Sequence, residues 1–156
     1  MNRKILAYPN KILRKKSFEI KKITEETKKL AGELKEIMMK KDGIGLAAPQ
    51  IGESKRLISV FFKGKPQVFL NPRIARKSRK TEVMEEGCLS FPGLFLKIRR
   101  AKDVDLEFIN LNGEKIKLKA EGLSARVFQH EIDHLDGILF IDRISLPQKL
   151  CRLLKN

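Results

Sequence analysis

The segment HEIDH at positions 130–134 limits what this chain can fold into more than any other, because it holds both histidines of the sequence. Side chains four residues apart lie one above the other on an α-helix, so the two imidazoles can bind one metal ion. From Leu123 to Leu135 there is no Gly or Pro, and Gly137 then favours a helix end. The segment therefore predicts a metal-binding helix, in preference to a core helix with two buried histidines.

A metal ion needs a further ligand, and the usual sources can be compared with the sequence. The metzincin pattern would place a third histidine where this chain has Phe140, and no glutamate follows Glu131 to act as a thermolysin-type ligand. A thiolate with two imidazoles is a catalytic zinc set that leaves one position open for water. We predict that Cys88 is the ligand, and that Cys151 is an ordinary apolar residue on a terminal helix.

Three separated segments of the chain resemble the peptide deformylase family. They are GIGLAAPQ at 43–50, EGCLS at 86–90 and QHEIDHL at 129–135, and their order and spacing are those of the family. The HExxH pattern alone is shared by many hydrolases, whereas the three segments together are specific. The resemblance implies an enzyme that removes the formyl group from the N-terminal formyl-methionine of newly synthesised proteins and releases formate.

Amide hydrolysis near neutral pH requires a nucleophile, a site for negative charge and a proton for the leaving amine. A divalent metal lowers the pKa of a bound water to about 7, so we expect a metal-bound water as the nucleophile. Glu131 lies beside the ligand His130 and can act as general base and then as general acid. The resemblance implies that the Gln50 side chain and the Leu89 backbone N–H stabilise the oxyanion.

The resemblance also implies that the substrate lies extended along the backbones of Ile44, Gly45 and Gly87, in the manner of an added strand. The residues expected to form an apolar pocket for methionine are Ile44, Met84, Leu123 and Val127. The aliphatic part of Arg126 is expected at the rim of this pocket. Some deformylases carry an arginine that contacts the substrate where this chain has Phe95.

The metal itself is predicted differently by donor chemistry and by the resemblance. Cys88, His130 and His134 form a set typical of zinc, whereas the resemblance implies a ferrous enzyme that also works with nickel or cobalt. We expect one divalent ion per chain, with Fe²⁺ as the native ion and Zn²⁺, Ni²⁺ or Co²⁺ as substitutes. Asp133 or a backbone carbonyl is expected to hold the histidine rings from behind.

Composition restricts the class of protein. With 42% hydrophobic and 34% charged residues, the 156-residue chain is typical of one soluble globular domain. The resemblance implies that this domain, over positions 1–156, is catalytic. No apolar run is long enough to cross a bilayer, and no secretory signal is visible. Two cysteines, one of them assigned to a metal, leave no disulfide framework. We therefore expect a cytoplasmic protein with no membrane partner.

The charge of the chain is strongly basic. Lys and Arg number 34 against 19 Asp and Glu, and the net charge of +15 is concentrated at 11–22 and 73–80. Such a surface attracts polyanions, so we expect a transient contact with the ribosome, to which the short tail 147–156 is a candidate contributor. Aromatic residues are few and do not alternate with basic ones, which argues against sequence-specific nucleic-acid binding.

The predicted fold class is α+β, with antiparallel or mixed β-sheets packed around a central HExxH helix. Residues 1–23 are expected to form an extended arm. Thr24 is expected to cap an N-terminal helix that ends at Gly43, and residues 147–155 are expected to form a short C-terminal helix. The apolar stripe of the N-terminal helix consists of Leu30, Leu34, Ile37 and Met38.

Strands are predicted at 56–62, 67–71, 103–109 and 115–120, with a hairpin turn at 63–66. The last two strands alternate apolar and charged residues. A three-residue loop ending in Gly113 places Phe108 opposite Ile116 and Glu107 opposite Lys117, which keeps each face uniform.

Two other functions share some of these features. A broader metallopeptidase would use the same Glu131 chemistry, and cleavage inside a peptide would identify it. A basic ribosome-binding module with a structural metal would need four protein ligands, and the sequence offers no obvious fourth.

Overall fold

Along the chain, one α-helix is followed by a run of seven β-strands and then by two further α-helices, among the residues that the structure describes. This structure, a computed structural model, describes residues 3–155, without the side chains of residues 152 and 153. Within those residues the helices are α1 (Glu25–Lys40), α2 (Gly122–Leu135) and α3 (Leu146–Leu154). The strands are β1 (Gly45–Ala47), β2 (Leu57–Phe62), β3 (Lys65–Lys77), β4 (Thr81–Cys88), β5 (Phe91–Ala101), β6 (Asp103–Ile109) and β7 (Lys115–Glu121). Short 3-10 turns lie at Lys11–Arg14, Ala48–Ile51 and Phe140–Asp142.

The strands form two antiparallel sheets. One has the order β1-β2-β3-β6-β7, and the other is the β4–β5 hairpin. Helix α2 packs on the face of the large sheet to which Ile58 and Val60 belong, and α1 packs with Leu57 on the other face. The predicted α+β class, with sheets around the HExxH helix and a helix near each end, is confirmed.

Aromatic packing fixes α2 against the large sheet. The ring of Phe128 is fully buried and makes edge contacts with Phe62 and Phe69, at centroid distances of 5.5 and 4.9 Å. Such pairs add about 0.5–1.5 kcal/mol beyond the burial of their area. The helix that carries both histidines is therefore held by its opposite side.

The capping of α1 agrees with the sequence, but its end differs. Thr24 accepts from the backbone N–H of Thr27, and Glu25 and Glu26 occupy the first turn, where negative charge suits the helix dipole. The helix ends at Lys40, and Asp42 adopts the left-handed conformation with φ of 52°. Asp42 therefore takes the role that the sequence predicted for Gly43, because short polar side chains tolerate this conformation.

The first hairpin is tighter than predicted. Lys63 and Gly64 have φ of 50° and 78° and form a two-residue turn, the kind that matches the twist of two antiparallel strands. Residues 65 and 66 consequently belong to β3, which continues to Lys77, so the predicted end at position 71 is wrong. The strand passes Asn71 through register shifts between Leu70 and Arg73.

The second predicted hairpin is confirmed in its register. Phe108 pairs with Ile116 and Glu107 with Lys117. The alternation of apolar and charged residues therefore located both strands and aligned them. Strands β4 and β5 were not predicted, because charged residues interrupt them on both faces.

The N-terminal arm is bound to the segments that form the site. The backbone N–H of Leu6 donates to the carbonyl of Gln50 at 2.7 Å, and that of Tyr8 donates to Ser90 at 2.9 Å. Ser17 donates to the carbonyl of Leu135 at 2.8 Å, at the end of α2. Among the described residues, no helix has the length and apolarity that crossing a membrane would need.

The turn after α2 gives a prediction for stability. Gly137 has φ of 71°, and a Cβ at this position would collide with the backbone carbonyl of Arg14. Gly137→Ala should therefore lower the free energy of unfolding by about 1–3 kcal/mol, from strain in the left-handed region alone. Gly32→Ala is the control, because nothing lies within 4 Å of its added Cβ inside α1. That change should raise the free energy of unfolding by about 0.5–1 kcal/mol. Equal effects in urea denaturation would contradict the account.

Candidate metal centre and active site

Three side chains that can bind a metal converge at the junction of β4 and α2. Cys88 is the last residue of β4, and its Sγ lies 3.3 Å from Nε2 of His134. The ligand atoms of Cys88, His130 and His134 all lie within 4.8 Å of one another. Cys151 is exposed on α3 and lies outside this group.

The spacing of these atoms fits a divalent ion. Zinc–sulfur and zinc–nitrogen bonds of about 2.3 and 2.1 Å place the two ligand atoms about 3.6 Å apart across a tetrahedron. The observed 3.3 Å between sulfur and nitrogen is close to that value. Among residues 3–155, this is the one group of three Cys, His, Asp or Glu side chains with such a spacing. A tetrahedral ion held by these three side chains would keep one position for water.

Glu86 holds the first histidine ring from behind. Its Oε1 lies 2.9 Å from Nδ1 of His130, and an ionised carboxylate can only accept, so Nδ1 carries the proton and Nε2 faces the ligand group. The prediction that Asp133 or a backbone carbonyl would do this is wrong for His130. Nδ1 of His134 is buried and has no hydrogen-bond partner among the described residues.

Buried arginines surround Glu86. Arg100 donates to both of its carboxylate oxygens, at 2.8 and 3.0 Å, and Arg126 donates to one of them at 2.6 Å. Arg126 is 4% exposed and also donates to the backbone carbonyls of Ile98 and Glu82. It belongs to the lining of the cleft between β1 and β4, so its place beside the methionine pocket stays a prediction. Burial alone would raise the pKa of Glu86, but the hydrogen bonds from His130 and Arg100 outweigh it and lower the pKa to about 2.

The two histidines differ in their affinity for a proton. Burial would lower the pKa of His130, but its hydrogen bonds with Cys88 and Glu86 raise it to about 10. Burial and the charge of His130 lower the pKa of His134 well below its ordinary value. The surroundings of His130 thus favour one positive charge, which a metal cation supplies when it replaces the proton.

Glu131 lies beside the ligands with a carboxylate oxygen free. It is 4% exposed, and its Oε2 is buried with no hydrogen-bond partner among the described residues. Burial raises the pKa of Glu131 to about 7. Its Oε1 packs so closely on Gly45 that a Cβ there would collide with it. Glu131 is therefore confined between β1 and the ligand group.

Gln50 is held with its amide directed at the ligand group. Its Oε1 accepts from the backbone N–H of Ala47 at 2.9 Å, which fixes the amide orientation. Its Nε2 then lies 3.1 Å from Ser90 Oγ and 3.6 Å from Cys88 Sγ. Gln50 is 2% exposed, in the 3-10 turn that follows β1. One N–H donor of this amide thus lies next to the sulfur ligand.

Leu89 follows Cys88 in the tight turn between β4 and β5. Cys88 pairs with Phe91 across this turn, and the register shifts between Gly87 and Cys88. The backbone N–H of Leu89 is therefore one residue from the sulfur ligand and belongs to the same turn as Ser90.

A cleft of about 1050 Å³ leads to the ligand group. It runs between β1 and β4, and its walls include Ile44, Gly45, Gly87, Phe95, Leu123 and Val127. His130 and Glu131 lie on its floor. Met84 is 37% exposed and does not line the cleft, whereas Ile44 and Leu123 line it with about half of their surface exposed.

Sequence reasoning missed three residues of this site. Glu86 and Ser90 are part of the EGCLS segment and lie two residues from Cys88 on either side, so their sequence position could have indicated that they belong to the site. Arg100 gave no signal, because it follows Arg99 in a basic stretch and only the fold distinguishes the buried one from the exposed one.

Comparison with known proteins gives a consistent result. A family model described as polypeptide deformylase matches residues 2–150. The peptide deformylase of Desulforudis audaxviator is 48% identical, over 93% of this chain and 95% of the relative. The peptide deformylase of Thermotoga maritima is 43% identical, over 94% of this chain and 90% of the relative.

Solved structures agree with the sequence relatives. The crystal structure of the Thermotoga maritima peptide deformylase superimposes with a TM-score of 0.89 and 43% identity, over 92% of this chain and 97% of that one. A peptide deformylase from Synechococcus elongatus in complex with actinonin gives a TM-score of 0.91 and 36% identity, over 99% of this chain and 85% of that one.

Proposed function

The chain belongs to the polypeptide deformylase family and is an enzyme that removes the formyl group from nascent peptides; we propose that it does so as a metallohydrolase centred on Cys88, His130 and His134. One observation supports this most strongly. The three ligand atoms meet at the end of a peptide-sized cleft, beside a buried carboxylate oxygen of Glu131 that has no other partner among the described residues.

The donor set would hold one divalent ion, which when bound supplies a Lewis acid and lowers the pKa of water. We propose Fe²⁺ as the native ion, with Zn²⁺, Ni²⁺ or Co²⁺ as substitutes. The open position that this three-ligand set leaves supports a catalytic centre, because structural zinc sites use four protein ligands.

Glu131 is proposed as the general base and acid. Its free Oε2 accepts the proton of the attacking water, and the same oxygen then donates that proton to the leaving amine. Confinement by Gly45 keeps the carboxylate in place between the two steps.

Gln50 and Leu89 are proposed to stabilise the oxyanion. Gln50 belongs to the turn after β1, with its Nε2 3.6 Å from Cys88 Sγ, and Leu89 follows Cys88 in the turn after β4. Both donors are fixed before the substrate arrives, so no reorganisation is required as negative charge develops.

The substrate is proposed to lie as an extended strand between β1 and β4. Gly45 and Gly87 present backbone without side chains on the two walls of the cleft. Ile44, Leu123 and Val127 line the cleft and form the proposed methionine pocket. Met84, which was also predicted for this pocket, is not included, because it does not line the cleft.

The oxyanion proposal predicts the effect of one substitution. Gln50→Leu keeps a side chain of similar size but removes the amide donor beside Cys88. We expect kcat to fall by about 10²–10³-fold, the usual cost of losing one such donor, with KM nearly unchanged. Steady-state kinetics of formate release measure both constants. A rise in KM alone would assign Gln50 to substrate binding instead.

The reaction itself is tested with formyl-Met-Ala-Ser. Release of one formate per peptide, with the Met-Ala bond intact, is the expected result. Cleavage of an internal bond would favour the broader metallopeptidase, for which the same Glu131 chemistry would serve.

A transient contact with the ribosome through the basic surface is proposed as well, and it would place the enzyme in the cytoplasm beside its nascent substrates. The net charge of +15 and the exposed Lys residues at 11, 15 and 16 support an attraction to RNA phosphates. Co-sedimentation with ribosomes should weaken as salt rises. Unchanged co-sedimentation after deletion of residues 147–156 would refute a role for α3.

A further inference from the structure

Side-chain hydrogen bonds through Arg100 form a ring that the α2 backbone closes between Asp133 and a proposed metal ligand, His130. Arg100 donates through Nε and Nη2 to the two oxygens of Glu86, and through Nη1 to Asp133 at 2.7 Å. Glu86 in turn accepts from His130, and Asp133 lies three residues after His130 on α2. All four residues are at most 8% exposed, so bulk water is not available to replace a lost partner.

The ring joins the two elements that carry the ligand atoms. Glu86 lies two residues before Cys88 on β4, and Asp133 lies next to His134 on α2. Arg100 itself belongs to β5, the partner of β4 in the hairpin. The Arg100 guanidinium therefore ties the strand of the sulfur ligand to the helix of both imidazole ligands through a carboxylate on each.

We propose that Arg100 is a positioning residue for the metal centre: by binding Glu86 and Asp133 together, it sets the distance between Cys88 and the two histidines and the orientation of the His130 ring. The proposal rests on the metal centre of the proposed function. It assigns to Arg100 a role in preorganising the ligands, with no contact to the substrate.

The shape of the guanidinium is essential to this role. Its planar fork binds the two oxygens of Glu86 and still has a donor for Asp133, whereas a lysine ammonium is a point charge on a flexible stem. Arg100→Lys would thus keep the positive charge and lose the geometry.

Charge and geometry predict opposite effects on metal binding. The positive charge of Arg100 repels a cation nearby, so a purely electrostatic role means that removing this charge strengthens metal binding. A positioning role means that Arg100→Lys and Arg100→Gln both weaken binding. The sign of the change in metal affinity therefore separates the two roles.

Arg126 offers a matched control. It is equally buried and also donates to Glu86, but its other bonds go to the backbone carbonyls of Ile98 and Glu82. Arg126→Lys keeps the charge and leaves the bonds of Arg100 to Glu86 and Asp133 in place. This variant should bind metal as the wild type does.

The test is titration of the full-length protein with Co²⁺, in competition with a chelator, together with the visible absorption of the bound ion. Arg100→Lys should lower Co²⁺ affinity by about 10–100-fold, the usual effect of losing a residue that orients a ligand, and should change the d–d bands. Asp133→Asn, which breaks the same ring at another residue, should act in the same direction and serves if Arg100→Lys does not fold.

Wild-type Co²⁺ affinity and spectrum in Arg100→Lys would overturn the inference, as would tighter binding in Arg100→Gln. An equal loss in Arg126→Lys would also overturn it, since that result would indicate a general loss of packing. The proposed function fails in a different way, through protein that binds Co²⁺ normally but releases no formate.

Discussion

Replacing Glu131 by Gln should leave the metal bound and lower kcat for formate release by about 10²–10⁴-fold, the range that a general base and acid contributes. The amide has almost the same shape as the carboxylate, so the packing against Gly45 is retained. It cannot accept and return a proton, however, and this is the role proposed for the free Oε2. Metal content measured by elemental analysis should be the same in the variant and the wild type.

The control for this substitution is Glu36→Gln on α1, where the side chain is exposed and does not line the cleft. It removes the same charge at a position away from the ligand group and should leave kcat unchanged. Loss of metal in Glu131→Gln would contradict the account, because it would make Glu131 a ligand.

Cys88→Ser should give the other large effect, the loss of tight metal binding and with it most of the activity. A serine hydroxyl is neutral at pH 7 and is a harder donor than a thiolate. Serine with two imidazoles therefore binds Zn²⁺ or Fe²⁺ more weakly than cysteine with two imidazoles. Elemental analysis after dialysis should find much less than one ion per chain, and formate release should fall in proportion.

Cys151→Ser is the matched variant, because it makes the same chemical change on exposed α3. It should retain one ion per chain and full activity. If the two serine variants lost metal equally, the assignment of Cys88 over Cys151 would be contradicted.

Much of this architecture could be predicted from local patterns. The period of apolar residues located α1 and α2, and the alternation in β6 and β7 fixed both the strands and their register. The cap at Thr24 was predictable because it depends on residues three apart. These features are set by near neighbours in the chain, so no knowledge of the tertiary fold was needed.

The errors arise where distant residues decide. The extension of β3 past Asn71 depends on pairing with β6, which overrides a local turn signal. The partner of His130 is Glu86, 44 positions away, and Asp133 instead binds Arg100 and Arg143. The hydrogen bond from Arg126 to Glu86 could not be predicted for the same reason, since only the fold places Glu86 next to α2.

The ligands and the polar network behind them differ in how they can be found. Cys88, His130 and His134 belong to short segments with a strong pattern, and the structure brings their ligand atoms together. Arg100 lies in a stretch of basic residues without any pattern, and its environment is made by two carboxylates from other elements. Buried charges of this kind can be assigned only when their partners are known.

X-ray absorption of the Fe²⁺-loaded protein at the iron edge is the most direct test of the central claim. The account predicts one sulfur and two imidazole nitrogens as protein ligands, with the remaining coordination supplied by oxygen. A spectrum without sulfur, or one with four protein ligands, would contradict it.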